Sequence, residues 1–186
     1  MRSAKPGPSE IPQPREPSIL TAPEVSAILP KVISPMGLLR ALAVVSVAAW
    51  LGIMAFFSFE VAPVVFKTID RAIAGQAVAA VLPRYYRWGL ALSGIALVAS
   101  ALQAISGRSG RLRSLLGTAL AALMVTMLVF ASAVLMPRAE TARRTRDDSV
   151  FARTHRASIQ VNLVTLGAGV VFLILEGVSR RRGRDR

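Results

Sequence analysis

Residues 151–163 read FARTHRASIQVNL and open the last long apolar block, which continues as VTLGAGVVFLILEGV to residue 178. This stretch holds the single histidine of the chain, His155. On an α-helix, which turns about 100° per residue, several polar side chains of the block share one face. Polar groups in a membrane helix are costly and usually face protein or water. The pattern therefore predicts a polar seam on this helix, made by Phe151, His155, Ser158, Asn162, Thr165, Gly169 and Glu176.

Three further apolar blocks precede this one, and each approaches the roughly 20 residues that a helix needs to cross a bilayer. Backbone groups in lipid must satisfy each other, so each block is predicted to be helical. The alternating segments of about ten residues that build a membrane β-barrel are absent from the sequence. The predicted fold is all-α, an integral membrane four-helix bundle, with spans near residues 37–59, 88–105, 115–136 and 159–178.

Composition supports a membrane protein rather than a soluble nucleic-acid binder. Hydrophobic residues make up 53% of the chain, and the mean hydropathy is +0.52. The formal net charge is +13 and cysteine is absent, which excludes disulfides, thiolate metal sites and cysteine nucleophiles. The positive charge lies at the ends of the apolar blocks, where anionic headgroups attract it. Membrane lipids are therefore the expected partners, nucleic acid is not expected, and association with another copy or another membrane protein stays open.

The chain divides into three regions. Residues 1–35 contain eight of the eleven prolines and are predicted to form a disordered, proline-rich tail. Residues 36–178 form the four-span domain, and residues 179–186 form a basic tail. Between spans one and two, apolar residues at helical spacing over residues 64–87 predict an amphipathic helix at the membrane interface, ended by Pro83. Tyr85, Tyr86 and Trp88 are then expected to form an aromatic belt at the mouth of span two.

Two prolines indicate an internal repeat. Pro63 ends the predicted first span and Pro137 ends the third, and each follows a serine by five residues, Ser58 and Ser132. A charged connector and another span come after each proline. This arrangement is typical of two helix pairs related by an axis along the membrane normal.

Arginine placement predicts the orientation. Five arginines follow the fourth span, and the connector between spans two and three is short and basic. Positively charged residues close to span ends stay on the cytoplasmic side. Both termini are therefore predicted to be cytoplasmic, in a bacterial inner membrane.

Three motifs resemble those of a known family. They are the end of span one running into Pro63-Val64-Val65-Phe66, then Val81-Leu82-Pro83-Arg84-Tyr85-Tyr86, and finally Phe151, His155, Ser158, Asn162 and Leu163. Together they are similar to the transmembrane protein 205-like family, over roughly residues 37–177. The resemblance implies a four-helix membrane protein and supplies no defined activity. The architecture is more distantly similar to the copper-resistance-D-like membrane proteins, some of which carry haem.

The residues leave three functions to compare. A non-enzymatic bundle could move, sense or help place a polar or cationic solute along a binding seam made of His155, Ser158, Asn162 and Glu176, with Glu60 and Tyr85 near its outer mouth. The same side chains could instead serve helix packing alone. A haem protein would need Met–His ligation through His155, because the chain has one histidine. No hydrolase motif occurs, so no catalytic, metal-ligating or cofactor-binding residue is predicted.

Overall fold

The computed structural model describes residues 34–106 and 110–182, with side chains described as far as residue 177. The predictions for the proline-rich tail and for the end of the basic tail lie outside these residues. Every regular element in the described part is helical, with short π-helical turns, π1 and π2, inside two of the helical segments. The elements are α1 (Pro35–Phe56), π1 (Phe57–Val61), α2 (Ala62–Thr68), α3 (Arg71–Ser106), α4 (Arg111–Phe130), π2 (Ala131–Leu135), α5 (Met136–Arg144) and α6 (Asp148–Arg182).

These elements join into four helical segments long and apolar enough to cross a membrane: Pro35–Thr68, Arg71–Ser106, Arg111–Arg144 and Asp148–Gly177. They are called spans one to four below. The all-α four-helix membrane fold predicted from the sequence is therefore confirmed. Spans one to three contain 34–36 residues. At about 1.5 Å per residue each is roughly 50 Å long, against about 30 Å for the hydrocarbon layer.

The spans form a closed ring in which each contacts the next along the chain. Helix α1 packs against α3 and α6, and α4 packs against the same two helices. Because consecutive spans run in opposite directions, the start of span one lies at the same end as the end of span four. We call this the arginine end, because Arg40 and Arg113 lie there. The opposite end, which carries the connectors 69–70 and 145–147, is the connector end.

Close packing of α1 against α3 depends on a glycine opposite a tryptophan. Trp50 of α1 is fully buried, and its indole ring lies where Gly89 of α3 has no side chain. A Cβ added at Gly89 would lie 2.7 Å from two atoms of that ring. The small residues Ala48 and Gly52 of α1 are instead exposed. In this contact between α1 and α3, the small residue is therefore Gly89 of α3 and the large one is Trp50 of α1.

Neither of the repeat prolines ends its helical segment, contrary to the prediction. Pro63 and Pro137 are each the second residue of the helix that follows a π-helical turn. In both turns a backbone N–H donates to the carbonyl five residues earlier, from Ala62 to Phe57 and from Met136 to Ala131. A proline has no N–H to donate, and its ring clashes with the carbonyl four residues earlier. The wider turn accommodates the proline, and the helix continues.

Residues 64–87 are divided between spans one and two and do not form a separate interfacial helix. The chain turns at residues 69–70, and α3 then continues through Pro83 to Ser106. Packing on both sides of the proline explains why the helix does not stop, since Ala74 lies buried before it and Tyr85 and Tyr86 lie buried after it. The predicted aromatic belt is therefore wrong for both tyrosines, and Trp88 alone is exposed, at 61%.

Candidate functional site

An ion-pair cluster lies at the arginine end of the bundle. The carboxylate Oε2 of Glu176 accepts hydrogen bonds from Nε of Arg40 at 2.7 Å and from Nη2 of Arg113 at 2.6 Å. Nη2 of Arg40 also donates to the backbone carbonyl of Glu176. Glu176 is 8% exposed, whereas the two arginine side chains are each 27% exposed. We call these three residues the arginine–glutamate cluster.

The cluster joins three of the four spans. Arg40 belongs to α1, Arg113 to the first turn of α4, and Glu176 to the last part of α6. Gly117, one turn after Arg113, faces this part of α6, since an added Cβ would lie in ordinary van der Waals contact with Oε1 of Glu176, at 3.9 Å. Among the described residues, Glu176 is the only buried side chain that carries a formal charge. Charged groups in such settings need partners, and the two guanidinium groups supply them.

The sequence analysis named Glu176 but missed both of its partners. Arg40 lies 136 residues away from it along the chain. Two features of the sequence point to Arg40 as a partner. It is the one charged residue in the apolar block at residues 37–59, and the alternating direction of the spans places it at the same end as Glu176.

His155 lies on the surface of the connector end. It is exposed, and its ring stacks on Phe151 of the same helix, with centroids 6.2 Å apart and planes 4° apart. On Phe151, the guanidinium carbon of Arg143 lies 5.8 Å from the ring centroid. Among the described residues no hydrogen bond or ion pair joins His155 to another span. Glu60, one of its expected partners, is also exposed.

The hydroxyl groups of α6 bond to their own helix. Ser158 donates to the carbonyl of Thr154 at 3.0 Å, and the fully buried Thr165 donates to the carbonyl of Val161 at 2.8 Å. Asn162 is half-buried. Between Thr165 and Glu176 the inward face of the helix carries the buried, apolar Ala168 and Phe172. In this conformation the inward polar face is therefore interrupted before it reaches the arginine–glutamate cluster.

Tyr85 lies in the core and not at a mouth of the bundle. Its ring centroid is 4.8 Å from that of Trp50 and 5.0 Å from that of Phe57. Three buried donors near this region have no hydrogen-bond partner in the described structure: Nε1 of Trp50, the hydroxyl of Tyr85 and the hydroxyl of Ser93. The structure thus brings Tyr85 together with the aromatic groups of the core.

Metal ligands do not cluster in the part of the chain that the structure describes. No group of three or more His, Asp or Glu side chains there could hold a metal ion. The six candidate site residues, four from the seam and two from its predicted mouth, thus lie in three places. Glu176 is in the cluster, Tyr85 is in the aromatic core, and the other four lie in the half of the bundle toward the connector end: His155, Ser158, Asn162 and Glu60.

Comparison with known proteins identifies the family. A family model described as "Domain of unknown function (DUF4149)" matches residues 45–148. An uncharacterized protein of Aquifex aeolicus (strain VF5) is 31% identical over 136 residues, which is 71% of this chain and 95% of the relative. The search of solved structures gave no match. The chain is a multi-pass membrane protein and belongs to the DUF4149 family.

Proposed function

We propose that this chain is a non-enzymatic membrane protein that binds or senses a cationic solute at Glu176. The observation that carries the proposal is the burial of this carboxylate between two guanidinium groups from different spans. An ionisable residue inside a membrane bundle marks a candidate functional site by default. A carboxylate paired with guanidinium groups can exchange them for another cation, which is why a cationic solute is proposed here.

The geometry suggests how a cation would act. Both arginines bond to the same oxygen, Oε2. A cation that takes this oxygen competes with both arginines at once. Since the cluster joins spans one, three and four, losing those contacts would loosen the arginine end of the bundle. A solute can shift such an equilibrium only by its differential affinity for the two states, and the carboxylate provides that difference.

Sensing fits the structure better than conduction across the membrane. Phe172 is fully buried and Ala168 is 6% exposed, and both lie between Glu176 and the hydroxyls of α6. Buried apolar side chains give a polar solute no hydrogen-bond partners along that face. The sites that the sequence suggested nearer the connector end, His155, Ser158, Asn162 and Glu60, stay candidates for a separate polar surface there.

A thermal-stability screen tests the proposal. Purified protein in detergent would be heated with sodium, potassium, magnesium or methylammonium chloride at matched ionic strength, and unfolding would be followed by tryptophan fluorescence. We expect at least one cation to shift the unfolding temperature of the wild-type protein, to leave Glu176→Gln unshifted, and to act normally on Glu60→Gln, because Glu60 is exposed. Equal responses of wild type and Glu176→Gln to every cation would refute a cation site at Glu176.

We also propose that the family is related to the transmembrane protein 205-like proteins. The motif at Phe151, His155, Ser158, Asn162 and Leu163 supports this relation, and the family match ends at residue 148, before the motif begins. A profile built from residues 149–178 of many family members tests it. The profile should retrieve transmembrane protein 205-like sequences, and failure to do so would remove the support.

A further inference from the structure

The arginine–glutamate cluster carries more positive than negative charge. Two guanidinium groups share one carboxylate, which leaves the cluster with a net charge of +1. Nε of Arg113 is also buried and has no hydrogen-bond partner among the described residues. A buried donor that is left unpaired is costly, and more so when it carries charge. The cluster thus has a surplus positive charge and an unpaired N–H donor on Arg113. An anion would compensate both.

The start of α4 provides a second, independent reason to expect an anion. Its N-cap residue is Gly110, no side chain in the described part of the chain caps the helix, and its first turn contains no acidic residue. The first turn instead carries Arg111 and Arg113. The N-terminal end of a helix holds unpaired N–H groups and a partial positive charge. Arginines there increase the positive potential. An anion would balance this charge and would accept hydrogen bonds from the unpaired N–H groups.

We infer that a phosphate group binds at the arginine end, held by Arg113 and Arg40 beside Glu176 and next to the N-terminus of α4. Guanidinium groups bind phosphate oxygens through paired hydrogen bonds. Both arginines keep more than a quarter of their side-chain surface exposed, so an outside ligand can reach them. The source is either the headgroup of an anionic phospholipid or free inorganic phosphate.

The position in the fold favours access from the headgroup layer. Arg113 is two residues from the start of α4, and Arg40 is five residues from the start of α1. At 1.5 Å per residue these side chains lie within about 8 Å of the ends of their helices. Long cationic side chains near the end of a span extend to the lipid headgroups. A cation that takes Oε2 of Glu176 would release the arginine donors for this phosphate, so the inference is compatible with the proposed cation site and goes beyond it.

Native mass spectrometry and thermal unfolding test the site in full-length protein. One arm uses nanodiscs of phosphatidylcholine alone or mixed with phosphatidylglycerol, and counts the phosphatidylglycerol retained on release. The other arm adds sodium phosphate to detergent-solubilised protein, with sodium chloride at equal ionic strength as control. We expect wild type to bind one of these two probes, and Arg113→Gln to bind it on the order of tenfold more weakly, because charge-assisted hydrogen bonds are lost.

Arg111→Gln is the matched control, since it removes the same charge from the same turn at an exposed residue. It should weaken binding much less than Arg113→Gln does, because it lowers the positive potential of the turn but removes no donor of the proposed site. If Arg113→Gln does not fold, Arg113→Lys keeps the charge but loses the Nε donor, and binding should still fall. Retention of phosphatidylglycerol identifies lipid as the source, and a shift with phosphate identifies the free ion. Equal binding by wild type, the Arg113 variants and Arg111→Gln would overturn the inference, whatever the outcome of the cation screen at Glu176.

Discussion

At the residue scale, the carboxylate of Glu176 and its two arginines depend on one another. Removing one member of a buried ion pair leaves an uncompensated charge and costs about 3–5 kcal/mol. Here the two arginines are partly exposed, so the lower end of that range applies. We predict that Glu176→Gln lowers the free energy of unfolding by about 3 kcal/mol.

Thermal unfolding in detergent measures this effect. Glu60→Gln serves as the control, because this exposed carboxylate should contribute little. Equal unfolding temperatures for Glu176→Gln and wild type would mean that the cluster does not hold the arginine end together.

Removing the hydroxyl of Tyr85, unlike removing the carboxylate of Glu176, is expected not to destabilise the protein. It is buried without a hydrogen-bond partner among the described residues, while the ring packs against Trp50 and Phe57. Tyr85→Phe keeps the ring and removes a donor whose desolvation is not repaid. We predict unchanged or higher thermal stability for Tyr85→Phe, and a clear loss for Tyr85→Ala, which removes the ring as well. A marked loss in the Phe variant would reveal a partner for the hydroxyl.

Asp147 predicts a pH dependence outside the membrane. It lies before α6 and accepts hydrogen bonds from the backbone N–H of Val150 and from the hydroxyl and N–H of Ser149. These bonds, that from Val150 foremost, lower the pKa of Asp147 below its ordinary value. A carboxylate with a lowered pKa in the folded state stabilises the fold above its unfolded pKa, and this contribution is lost as the pH falls through the folded pKa.

Hydrogen exchange of the first turn of α6, corrected for intrinsic rates, measures this dependence. We expect protection to fall on acidification below the usual range of aspartate, and Asp147→Asn to lose that component. Asp148→Asn, at the exposed neighbouring residue, should keep it. An identical acid response in wild type and Asp147→Asn would contradict the assignment.

At the element scale, the contact of α1 with α3 depends on Gly89. A Cβ there would meet the rigid Trp50 ring at 2.7 Å, whereas a Cβ at Gly94 of the same helix would meet nothing within 4 Å. Overpacking costs about 1–3 kcal/mol, and replacing a helical glycine by alanine regains up to about 1 kcal/mol. We predict that Gly89→Ala destabilises the bundle and that Gly94→Ala is neutral or stabilising. Thermal unfolding of the two variants checks this, and equal effects would show that Trp50 moves aside freely.

The elements also show how far the sequence could predict this fold. Apolar runs of span length identified the four spans, because a bilayer imposes that length on any helix. The same reasoning treated Pro63, Pro83 and Pro137 as helix ends, although all three lie inside helical segments. Whether a proline ends a helix depends on the packing of the turns on either side, and that packing involves residues far away in the sequence. For the same reason the sequence placed Tyr85 at a mouth of the bundle instead of in the core.

At the scale of the whole molecule, the remaining prediction is orientation. Five arginines follow the fourth span in the sequence, and such residues favour the cytoplasmic side. We expect a C-terminal fusion to be active with a reporter that works only in the cytoplasm and inactive with one that works only in the periplasm. A fusion within the connector at residues 145–147 should give the reverse pattern. Exchanged activities would place the arginine end, and its proposed phosphate site, on the outer side.

The seam predicted along span four shows what a single helix can and cannot reveal. Periodicity identified its polar face, but both of its hydroxyl-bearing positions, Ser158 and Thr165, donate to carbonyls of their own helix. A hydroxyl on a helix always has that local acceptor within reach. A carboxylate does not, since it can only accept, and Glu176 therefore had to find donors on other spans. Which partners a seam residue finds therefore depends on whether its side chain can donate a hydrogen bond, as well as on the helix face where it lies.

The π-helical turns have a consequence for the history of the chain. A π-turn is an α-helix with one residue inserted. Both turns occupy the same place in their spans, directly before the helix whose second residue is proline. If the two helix pairs descend from one ancestral pair, a single insertion copied with the gene segment accounts for both, whereas separate origins require the same event twice at matching sites. The inserted residue is then older than the duplication, and a single-pair ancestor would already have carried it.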